Sequence, residues 1–384
     1  MVLKTLDSFD LKGKYVLLRA DLNSDVVDGK VMMSERIKES IQTISELKNK
    51  GARVCIIAHQ GNPGKKDFVS LLSHCKLLNK FVLVKFVDDI VGDLAVSSIK
   101  NLGEGDCILL DNIRNLDEEL DINIKPNKIV DVLGGLFDIY INDAFSVCHR
   151  KHSSIVLLPK VIKMKCGGRL LEKEVNALKK ISIKDCLYLL GGAKPETNIK
   201  LLTGKKVLAG GLFGHICLVS IGVDLGYQKK YLKETTLVKG DYMDFLSELK
   251  GKLKNVLLPD DLVIDIGGKI KALEINEFPS SYEVVDIGPK TVDKFVKEIK
   301  KAKAIYMKGP FGKTTDKKFL KGTNAILKAV SESKGFSLIG GGHLSDVISR
   351  SGISLDKFDH VSLSGGALLR YVAGEKLVGL DALG

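Results

Sequence analysis

Short apolar runs rich in β-branched residues recur along the chain, and segments with the spacing of amphipathic helices separate them. The runs are apolar at successive positions, which is typical of strands covered on both faces of a parallel sheet. Twelve runs are predicted strands: 15–20, 53–58, 81–87, 107–110, 138–142, 187–190, 206–210, 255–259, 262–265, 304–307, 336–339 and 360–363. The pattern predicts an α/β fold of doubly wound, Rossmann-like parallel sheets.

The segment after the first strand is the clearest predicted helix. Ser34 can cap its N-terminus and Gly51 can end it. Its apolar residues fall on one face: Ile37, Ile41, Ile44 and Leu47. A cap at Ser34 places Arg36 in the first helical turn, so we expect the Arg36 side chain to face the loops.

The strand pattern breaks between Ser154 and Ile183. Within the break, CGGRLLEKEVNALKKIS reads as a helix opened by Gly167 and Gly168, with apolar residues at Leu170, Leu171, Val175 and Leu178. We therefore predict two lobes, residues 1–165 and 183–369, joined by a connector helix at 166–182. Because ligands bind beyond the carboxyl ends of strands in such sheets, functional side chains should follow the predicted strands.

Composition narrows the class of protein. The 384 residues are 45% hydrophobic and 28% charged, as expected of a globular protein with substantial cores. No apolar run approaches the roughly 20 residues of a membrane span, and the first residues lack a secretory signal. The seven Cys are odd in number and form no C-x-x-C pair, which favours a cytoplasmic chain with reduced thiols.

The formal net charge of +12 raises the alternative of a nucleic-acid binder. The excess is Lys spread along the chain, with no Trp and 6% aromatic residues, so no base-stacking module is visible. We predict neither a nucleic-acid nor a membrane partner; a steep salt dependence of nucleic-acid binding would favour the alternative. Only eight cations are Arg, so the positions at which Arg replaces Lys carry information.

Polar residues follow the strands of the first half. The residues in question are Asp21, Asn23 and Arg36, then His59, Gly61 and Asn62, then Arg114, and finally Asp143, His149, Arg150 and His152. Arg presents a planar fork of donors that suits phosphate and carboxylate, so the set predicts an anion site. The alternative for any single residue is an ordinary surface or loop position. The run CHRKH has no partner cluster with ligand spacing, so we predict no metal site there.

Glycines follow the strands of the second half. They occur at 191–192 ahead of Lys194, at 210–211, within KGPFG at 308–312, at 340–342 and within SGGA at 364–367. Free N–H groups at helix N-termini that glycine lets a ligand approach form anion sites, which predicts phosphate binding. The chain has neither a P-loop nor a complete G-x-G-x-x-G with a ribose acid. Anion sites in both halves fit phosphoryl transfer between two bound anions.

Nine motifs resemble, in order and along nearly the whole chain, those of phosphoglycerate kinases. They are ADLNSD, HQGNPG, LLDNIRN, YINDAFSVCHRKHSS, GGAKPETN, DIGPKT, KGPFG, FSLIGGGH and HVSLSGGA, with DIGPKT and GGGH closest to the archaeal branch. The resemblance implies a monomeric, two-lobed enzyme with a hinge. Such an enzyme transfers phosphoryl between ATP and 3-phosphoglycerate, giving 1,3-bisphosphoglycerate and ADP, with Mg²⁺ carried by the nucleotide. In this family the C-terminal peptide, here 370–384, returns to the first lobe.

The resemblance also implies roles for individual residues. The phosphoglycerate would contact Asp21, Asn23, Arg36, His59, Gly61, Asn62, Arg114 and Arg150. The nucleotide would contact Gly192, Ala193, Lys194, Gly210, Gly211, Lys308, Gly309, Pro310, Gly340, Gly341, Gly342 and His343. Because the acceptor carboxylate is already ionised, no general base is required, and we expect Arg36 and Lys194 to clamp the transferring group once the lobes close.

Several positions depart from the family pattern. Asn62 and Asn198 stand where the family has Arg and Lys, Lys308 where it has Asn, Thr315 where it has Glu, His343 where it has Asp, and Ser364 where it has Gly. The departures are more frequent on the nucleotide side, so altered nucleotide binding is expected. Whether Lys308 replaces the charge missing at Asn198 stays open. A catalytically weak relative that acts as a sensor or scaffold is the alternative, and the presence of both Arg36 and Lys194 argues against it.

Overall fold

The computed structural model describes residues 3–181, 185–237 and 240–384, with backbone only at Gly342, His343 and Asp346. Two compact units divide the chain, one comprising Met1–Asn176 with Gly374–Gly384 and the other Ala177–Ala373. The division falls within a helix, whereas the sequence analysis drew its limits at 165 and 183. Residues 182–184, where that second limit falls, lie outside the described part of the chain.

The regular elements are as follows. The strands are β1 (Tyr15–Ala20), β2 (Val26–Val27), β3 (Lys30–Val31), β4 (Arg53–Ile57), β5 (Lys85–Val87), β6 (Cys107–Leu110), β7 (Ile139–Asp143), β8 (Met164–Gly167), β9 (Cys186–Leu190), β10 (Lys206–Ala209), β11 (Val256–Leu257), β12 (Asp261–Ile266), β13 (Lys269–Glu274), β14 (Val284–Ile287), β15 (Ala304–Lys308), β16 (Phe336–Gly340) and β17 (His360–Ser362). The helices are α1 (Glu35–Asn49), α2 (Leu72–Leu78), α3 (Asp93–Lys100), α4 (Asp117–Leu120), α5 (Lys128–Leu133), α6 (Leu158–Val161), α7 (Arg169–Ile181), α8 (Gly211–Ser220), α9 (Tyr227–Thr235), α10 (Tyr242–Gly251), α11 (Pro289–Ile299), α12 (Lys321–Ser331), α13 (Gly342–Ser351), α14 (Gly366–Val372) and α15 (Val378–Asp381).

The first unit is built on a six-stranded parallel sheet in the order β5-β6-β4-β1-β7-β8. Strand β1 is central, and its residues from Val16 to Ala20 are buried, as expected for a strand covered on both faces. The chain proceeds from β1 to β4 on one side and later returns to β7 on the other. The sheet therefore has a topological switch point between β1 and β7, where ligands bind at the carboxyl ends.

Helix α1 confirms the prediction from its cap and apolar face. The Ser34 hydroxyl accepts a hydrogen bond from the Ile37 amide at 3.3 Å, and Ile37, Ile44 and Leu47 are buried in the core of the first sheet. Arg36 accordingly lies in the first helical turn.

The second unit has a parallel sheet in the order β11-β10-β9-β15-β16-β17, which is the strand order of the Rossmann fold. Its switch point lies between β9 and β15, which pair in parallel with Leu190 opposite Lys308. The predicted α/β class with two Rossmann-like parallel sheets is confirmed.

Two features of the sheets differ from the sequence analysis. Strand β8 extends the first sheet, whereas the sequence analysis predicted no strand in the half-polar run MKCG and placed Cys166 and Gly167 in the connector. The run 262–265 is a strand as predicted, yet it pairs antiparallel with β13 and β14 in a separate three-stranded sheet. The hairpin between β12 and β13 turns at Gly267 and Gly268, both with positive φ, and such a Gly-Gly pair is a hairpin signal.

The end of the chain belongs to the first unit. The Gly379 amide in α15 donates to the Cys148 carbonyl at 2.8 Å. An added Cβ at Gly379 would lie 2.8 Å from Ile155 Cγ2, so only glycine fits this contact. The predicted peptide 370–384 begins within helix α14, which lies in the second unit, so the part of the chain that belongs to the first unit starts at Gly374. Among the described residues, no helix is long and apolar enough to cross a membrane.

Candidate active site

The carboxyl edge of the first sheet carries an acid that is buried and incompletely paired. Asp21 follows β1 directly and is 1% exposed. Its Oδ1 accepts no hydrogen bond from the described residues and lies 3.7 Å from Arg36 Nη1. Arg36 also donates to the Asn23 carbonyl at 3.3 Å. An acceptor oxygen is therefore available at the switch point, with a guanidinium beside it.

Residues after β1, β4 and β6 are joined by hydrogen bonds. The Gly61 amide donates to Asn23 Oδ1 at 2.8 Å, and Arg114 Nη1 donates to Asn62 Oδ1 at 2.9 Å and to the Gly61 carbonyl. Gly61 has φ +64°, and a Cβ there would lie 2.4 Å from the Asp67 carbonyl oxygen, so glycine is required. The three strand ends thus form one connected polar surface.

Arg114 is the most informative side chain of this surface. It is 3% exposed, and its Nε and Nη2 are buried without a hydrogen-bond acceptor among the described residues. Burial, together with the positive charges of Arg19 and Arg150, lowers the pKa of Arg114 to about 10. A buried guanidinium with unmet donors is costly unless an anion completes the site.

His59 is buried against a second arginine that the sequence analysis did not single out. Its Nδ1 lies 3.0 Å from Arg19 Nη2. Because arginine can only donate, Nδ1 is the acceptor and the proton of the neutral ring sits on Nε2. Burial, and then the charge of Arg19, holds the pKa of His59 well below its usual range. His59 is therefore neutral at pH 7 and offers one N–H donor.

Arg19 is held by a polar network inside the unit. It is fully buried in β1, and its Nε donates to Ser154 Oγ at 2.9 Å. Glu119, also fully buried, lies 3.9 Å from Arg19 Nη2 and accepts from the Ser154 amide and hydroxyl at 2.8 and 2.7 Å. The signal in the sequence was an arginine inside the apolar run YVLLRA. Its partners lie far away in the chain and left no local pattern.

Gln60 is a second residue that the sequence analysis missed. It is fully buried, its Oε1 accepts from the Ser24 amide at 2.9 Å, and its Nε2 donates to the Ser24 and Asp67 carbonyls. Gln60 thereby joins the loops after β1 and β4 and fixes His59 and Gly61 on either side of it.

The residues that follow β7 supply fewer side chains to this polar surface than the sequence predicted. Arg150 is exposed, and His152 Nδ1 lies 3.5 Å from Glu119 Oε1 in the buried network. Asp143 accepts from the Leu171 amide at 3.0 Å and so anchors the start of α7. Burial raises the pKa of Asp143 to about 6. Asp143 has an internal partner and His152 is buried, whereas Arg150 remains accessible to a ligand.

The glycine turns of the second unit are packed on one another. The amides of Gly191 and Gly192 donate to the carbonyls of Lys308 and Pro310, and the amides of Gly210 and Gly211 donate to those of Leu190 and Phe311. The expectation that these four amides are free for an anion is therefore wrong, because the adjacent turns use them. Gly309 has φ +75°, and a Cβ there would lie 2.7 Å from Gly192 Cα, so only glycine permits this approach.

The segment after Gly192 does not form a regular α-helix, although the glycines of this half were expected to precede helix N-termini. It forms two short 3-10 turns, Pro195–Thr197 and Ile199–Leu201. The Asn198 side chain donates to the Gly191 carbonyl at 3.0 Å, and such side-chain bonds compete with helix formation. Ala193 and Lys194 are exposed in the turn. Lys308 Nζ donates to Thr197 Oγ1 at 2.7 Å and to Asn198 Oδ1.

The turn after β16 is more open. Gly340 is buried against Leu368 and Tyr306, whereas Gly341 has φ +103° and an added Cβ there would meet no atom within 4 Å. Gly342 begins α13 and His343 is its second residue. The turn thus combines a left-handed backbone with free space, which suits close approach of a ligand. The described residues contain no group of three or more His, Cys, Asp or Glu side chains able to hold a metal ion.

Comparison with known proteins decides the family. The family model "Phosphoglycerate kinase" matches residues 6–375. The chain belongs to the phosphoglycerate kinase family. Curated relatives with that name include the protein of Methanopyrus kandleri, 37% identical over 402 residues with 99% of this chain and 97% of that protein covered. The protein of Sulfurisphaera tokodaii is 38% identical over 404 residues, with 98% and 95% covered.

Solved structures of the phosphoglycerate kinase family share the fold along the whole chain. The enzyme from Pyrococcus horikoshii OT3 superposes with a TM-score of 0.85 at 31% identity, covering 99% of this chain and 98% of that chain. The enzyme from Coxiella burnetii superposes with a TM-score of 0.84 at 26% identity, covering 100% and 99%. The resemblance drawn from the nine motifs, including its archaeal character, is confirmed.

Proposed function

We propose that the protein transfers a phosphoryl group reversibly between ATP and the carboxylate of 3-phosphoglycerate, giving ADP and 1,3-bisphosphoglycerate. Family membership supports this reaction, a step of glycolysis and gluconeogenesis. The first unit would bind the phosphoglycerate and the second unit the nucleotide.

The unmet hydrogen-bonding capacity of the first unit carries the proposal. Among the described residues, Arg114 Nε and Nη2 find no acceptor, and Asp21 Oδ1 is buried and accepts no hydrogen bond. 3-Phosphoglycerate offers anionic oxygens to a guanidinium and a hydroxyl to a carboxylate, so it satisfies both. The other proposed contacts are Asn23, Arg36, His59, Gly61, Asn62 and Arg150.

The strand order of the second unit supports a nucleotide site at the ends of β9 and β15. We propose that the phosphates contact Lys194 and Lys308, and that Gly341 lets the backbone approach them. The other proposed contacts are Gly192, Ala193, Gly210, Gly211, Gly309, Pro310, Gly340, Gly342 and His343.

Catalysis in this proposal depends on alignment and positive charge. The attacking carboxylate is ionised at neutral pH, so no residue has to remove a proton. Arg36 and Lys194 are the proposed contacts of the transferring group, and each would offset charge that develops on its oxygens.

Mg²⁺ is proposed to enter with the nucleotide. Mg²⁺ in phosphoryl-transfer sites is usually held by substrate phosphates with one or two carboxylates. The side chains proposed for the phosphates, Lys194 and Lys308, are cationic, which suits phosphate oxygens and opposes a bare cation. When bound, the ion would neutralise part of the phosphate charge.

A coupled assay tests the proposed reaction. Purified protein is given 3-phosphoglycerate, Mg²⁺ and one of several nucleoside triphosphates, and acyl phosphate formation is followed by reductive coupling. We expect turnover that saturates in both substrates and stops when a chelator removes Mg²⁺. Nucleotide hydrolysis that is independent of 3-phosphoglycerate, or no turnover at all, would contradict the proposal.

We also propose a cytoplasmic monomer. All seven cysteines are buried and unpaired, which suits a reducing compartment. Light scattering after size-exclusion chromatography should give the mass of one chain.

A further inference from the structure

Lys308 lies at the point where the second sheet is expected to meet a ligand. It ends β15 opposite Leu190, the last residue of β9, and these strands flank the switch point. Of its two hydrogen-bond partners, Thr197 ends the first 3-10 turn after β9 and Asn198 joins that turn to the second. The ammonium group is therefore fixed between two strand ends.

The hydrogen bonds orient Lys308 and leave it one donor. Its Nζ donates to Asn198 Oδ1 and to Thr197 Oγ1 at 2.7 Å. Asn198 is fully buried, and its Nδ2 donates to the Gly191 carbonyl, which turns its oxygen toward the lysine. Because an ammonium has three N–H groups, one remains after these two bonds.

Nothing within the described part of the chain neutralises this charge by direct contact, since both partners of Lys308 are neutral. Burial lowers the pKa of Lys308 to about 8, Glu196 opposes the shift, and the nearby charge of Lys194 adds to it. A partly buried cation with neutral partners costs stability. If the role of this residue were only structural, a neutral side chain would cost less stability than a lysine. An anionic ligand, in contrast, would compensate the charge of Lys308.

We propose that Lys308 is a second catalytic lysine beside Lys194, with its free N–H directed at the transferring phosphoryl group, and that Asn198 and Thr197 position it. The inference rests on the proposed function. The bond from the γ-phosphorus to the β–γ bridging oxygen breaks as the bond to the carboxylate oxygen forms, and the lysine keeps its proton throughout.

The Lys308→Met variant separates catalysis from stability. We expect kcat and kcat/KM to fall together by about 10²–10³-fold, because the lost interaction belongs to the transition state. The denaturation midpoint should stay or rise, because a costly buried charge is gone. Lys206→Met is the matched control. Lys206 is the first residue of β10, so it lies at the amino ends of the strands, away from the proposed site, and it pairs with Glu298. That variant should keep kcat within about twofold.

The pH profile gives a readout that a structural lysine would not move. The wild-type kcat/KM should fall as the pH rises through about 8, because Lys308 loses its proton there. Lys308→Arg keeps its charge to above pH 12, so its residual activity should not show that fall. An identical alkaline limb in both proteins would overturn the inference.

An exchange variant tests the pairing with Asn198. Lys308→Asn and Asn198→Lys should each lower kcat by more than about tenfold, and the double variant Asn198→Lys/Lys308→Asn should recover most of the loss. Additive losses would overturn the inference, as would a folded, fully active Lys308→Met protein. If wild-type protein fails to transfer phosphoryl to 3-phosphoglycerate, the proposed function fails first; if it is active and Lys308→Met equals it, only the inference fails.

Discussion

The substitution Arg114→Met addresses the substrate site most sharply. It keeps a long side chain and removes the charge together with the donors at Nε and Nη2 that have no acceptor among the described residues. If these donors bind the phosphoglycerate, two charged hydrogen bonds are lost, each worth about 1.5–3 kcal/mol. The total of about 3–6 kcal/mol corresponds to a rise in KM or Kd for 3-phosphoglycerate of about 10²–10⁴-fold.

The same substitution, Arg114→Met, should have little effect on the stability of the free protein. The variant loses the bonds from Nη1 to Gly61 and Asn62, but it also loses a buried and uncompensated charge. Replacement of a buried cation by an apolar group is often neutral or stabilising. We therefore expect the free energy of unfolding of the free protein to fall by no more than about 1 kcal/mol.

The assay combines denaturant unfolding with steady-state kinetics and with the thermal shift caused by 3-phosphoglycerate. The wild-type protein should be stabilised by the ligand and Arg114→Met should not. Arg53→Met is the control. Arg53 is the first residue of β4, so it lies at the amino ends of the strands, away from the proposed substrate site, and it contacts Tyr15. A large loss of stability in Arg114→Met with an unchanged KM would refute the reasoning and make Arg114 a structural residue.

Two further predictions concern the second unit. Thr323→Val should destabilise the protein by about 2–4 kcal/mol in denaturant unfolding, because the buried Thr323 hydroxyl accepts hydrogen bonds from both the Phe311 and Gly312 amides. Thr323→Ser keeps the hydroxyl and should retain most of the stability. Equal losses of stability in the two variants would contradict this prediction. His215 is buried, neither of its ring nitrogens has a hydrogen-bond partner among the residues that the structure describes, and burial lowers its pKa to about 3. Because the folded protein favours the neutral ring, protonation of His215 does not reduce the free energy of unfolding above pH 6.5. As the pH falls from 6.5 toward 3, the free energy of unfolding decreases by up to about 1.4 kcal/mol per pH unit. His215→Leu should gain stability over wild type in that window, and an advantage that does not grow with acidification would exclude the linkage.

The sequence predicted those parts of the molecule that depend on neighbouring residues. The cap at Ser34 and the apolar face of α1 were readable because a helix repeats its environment every three to four residues. The polar strand ends at Asp21 and Arg114 were readable because parallel strands bring their carboxyl ends to one edge.

What the sequence could not reveal depends on partners far apart in the chain. Arg19 in β1 and Glu119 in α4 are separated by one hundred positions, and both hydrogen-bond to Ser154, which follows β7. The bond from Lys308 to Asn198 spans 110 positions and depends on the pairing of β15 with β9. The amides of Gly191 and Gly210 were wrongly expected to be free, since only the packed turns reveal their acceptors.

The most direct measurement of the central claim follows the phosphorus itself. ATP labelled at the γ-phosphate is incubated with the protein, Mg²⁺ and 3-phosphoglycerate, and the products are separated before and after treatment with hydroxylamine, which cleaves acyl phosphates. The account predicts label in a hydroxylamine-sensitive product that forms only with 3-phosphoglycerate and returns to ATP when ADP is added. Label that remains in ATP, or appears only as inorganic phosphate, would contradict it.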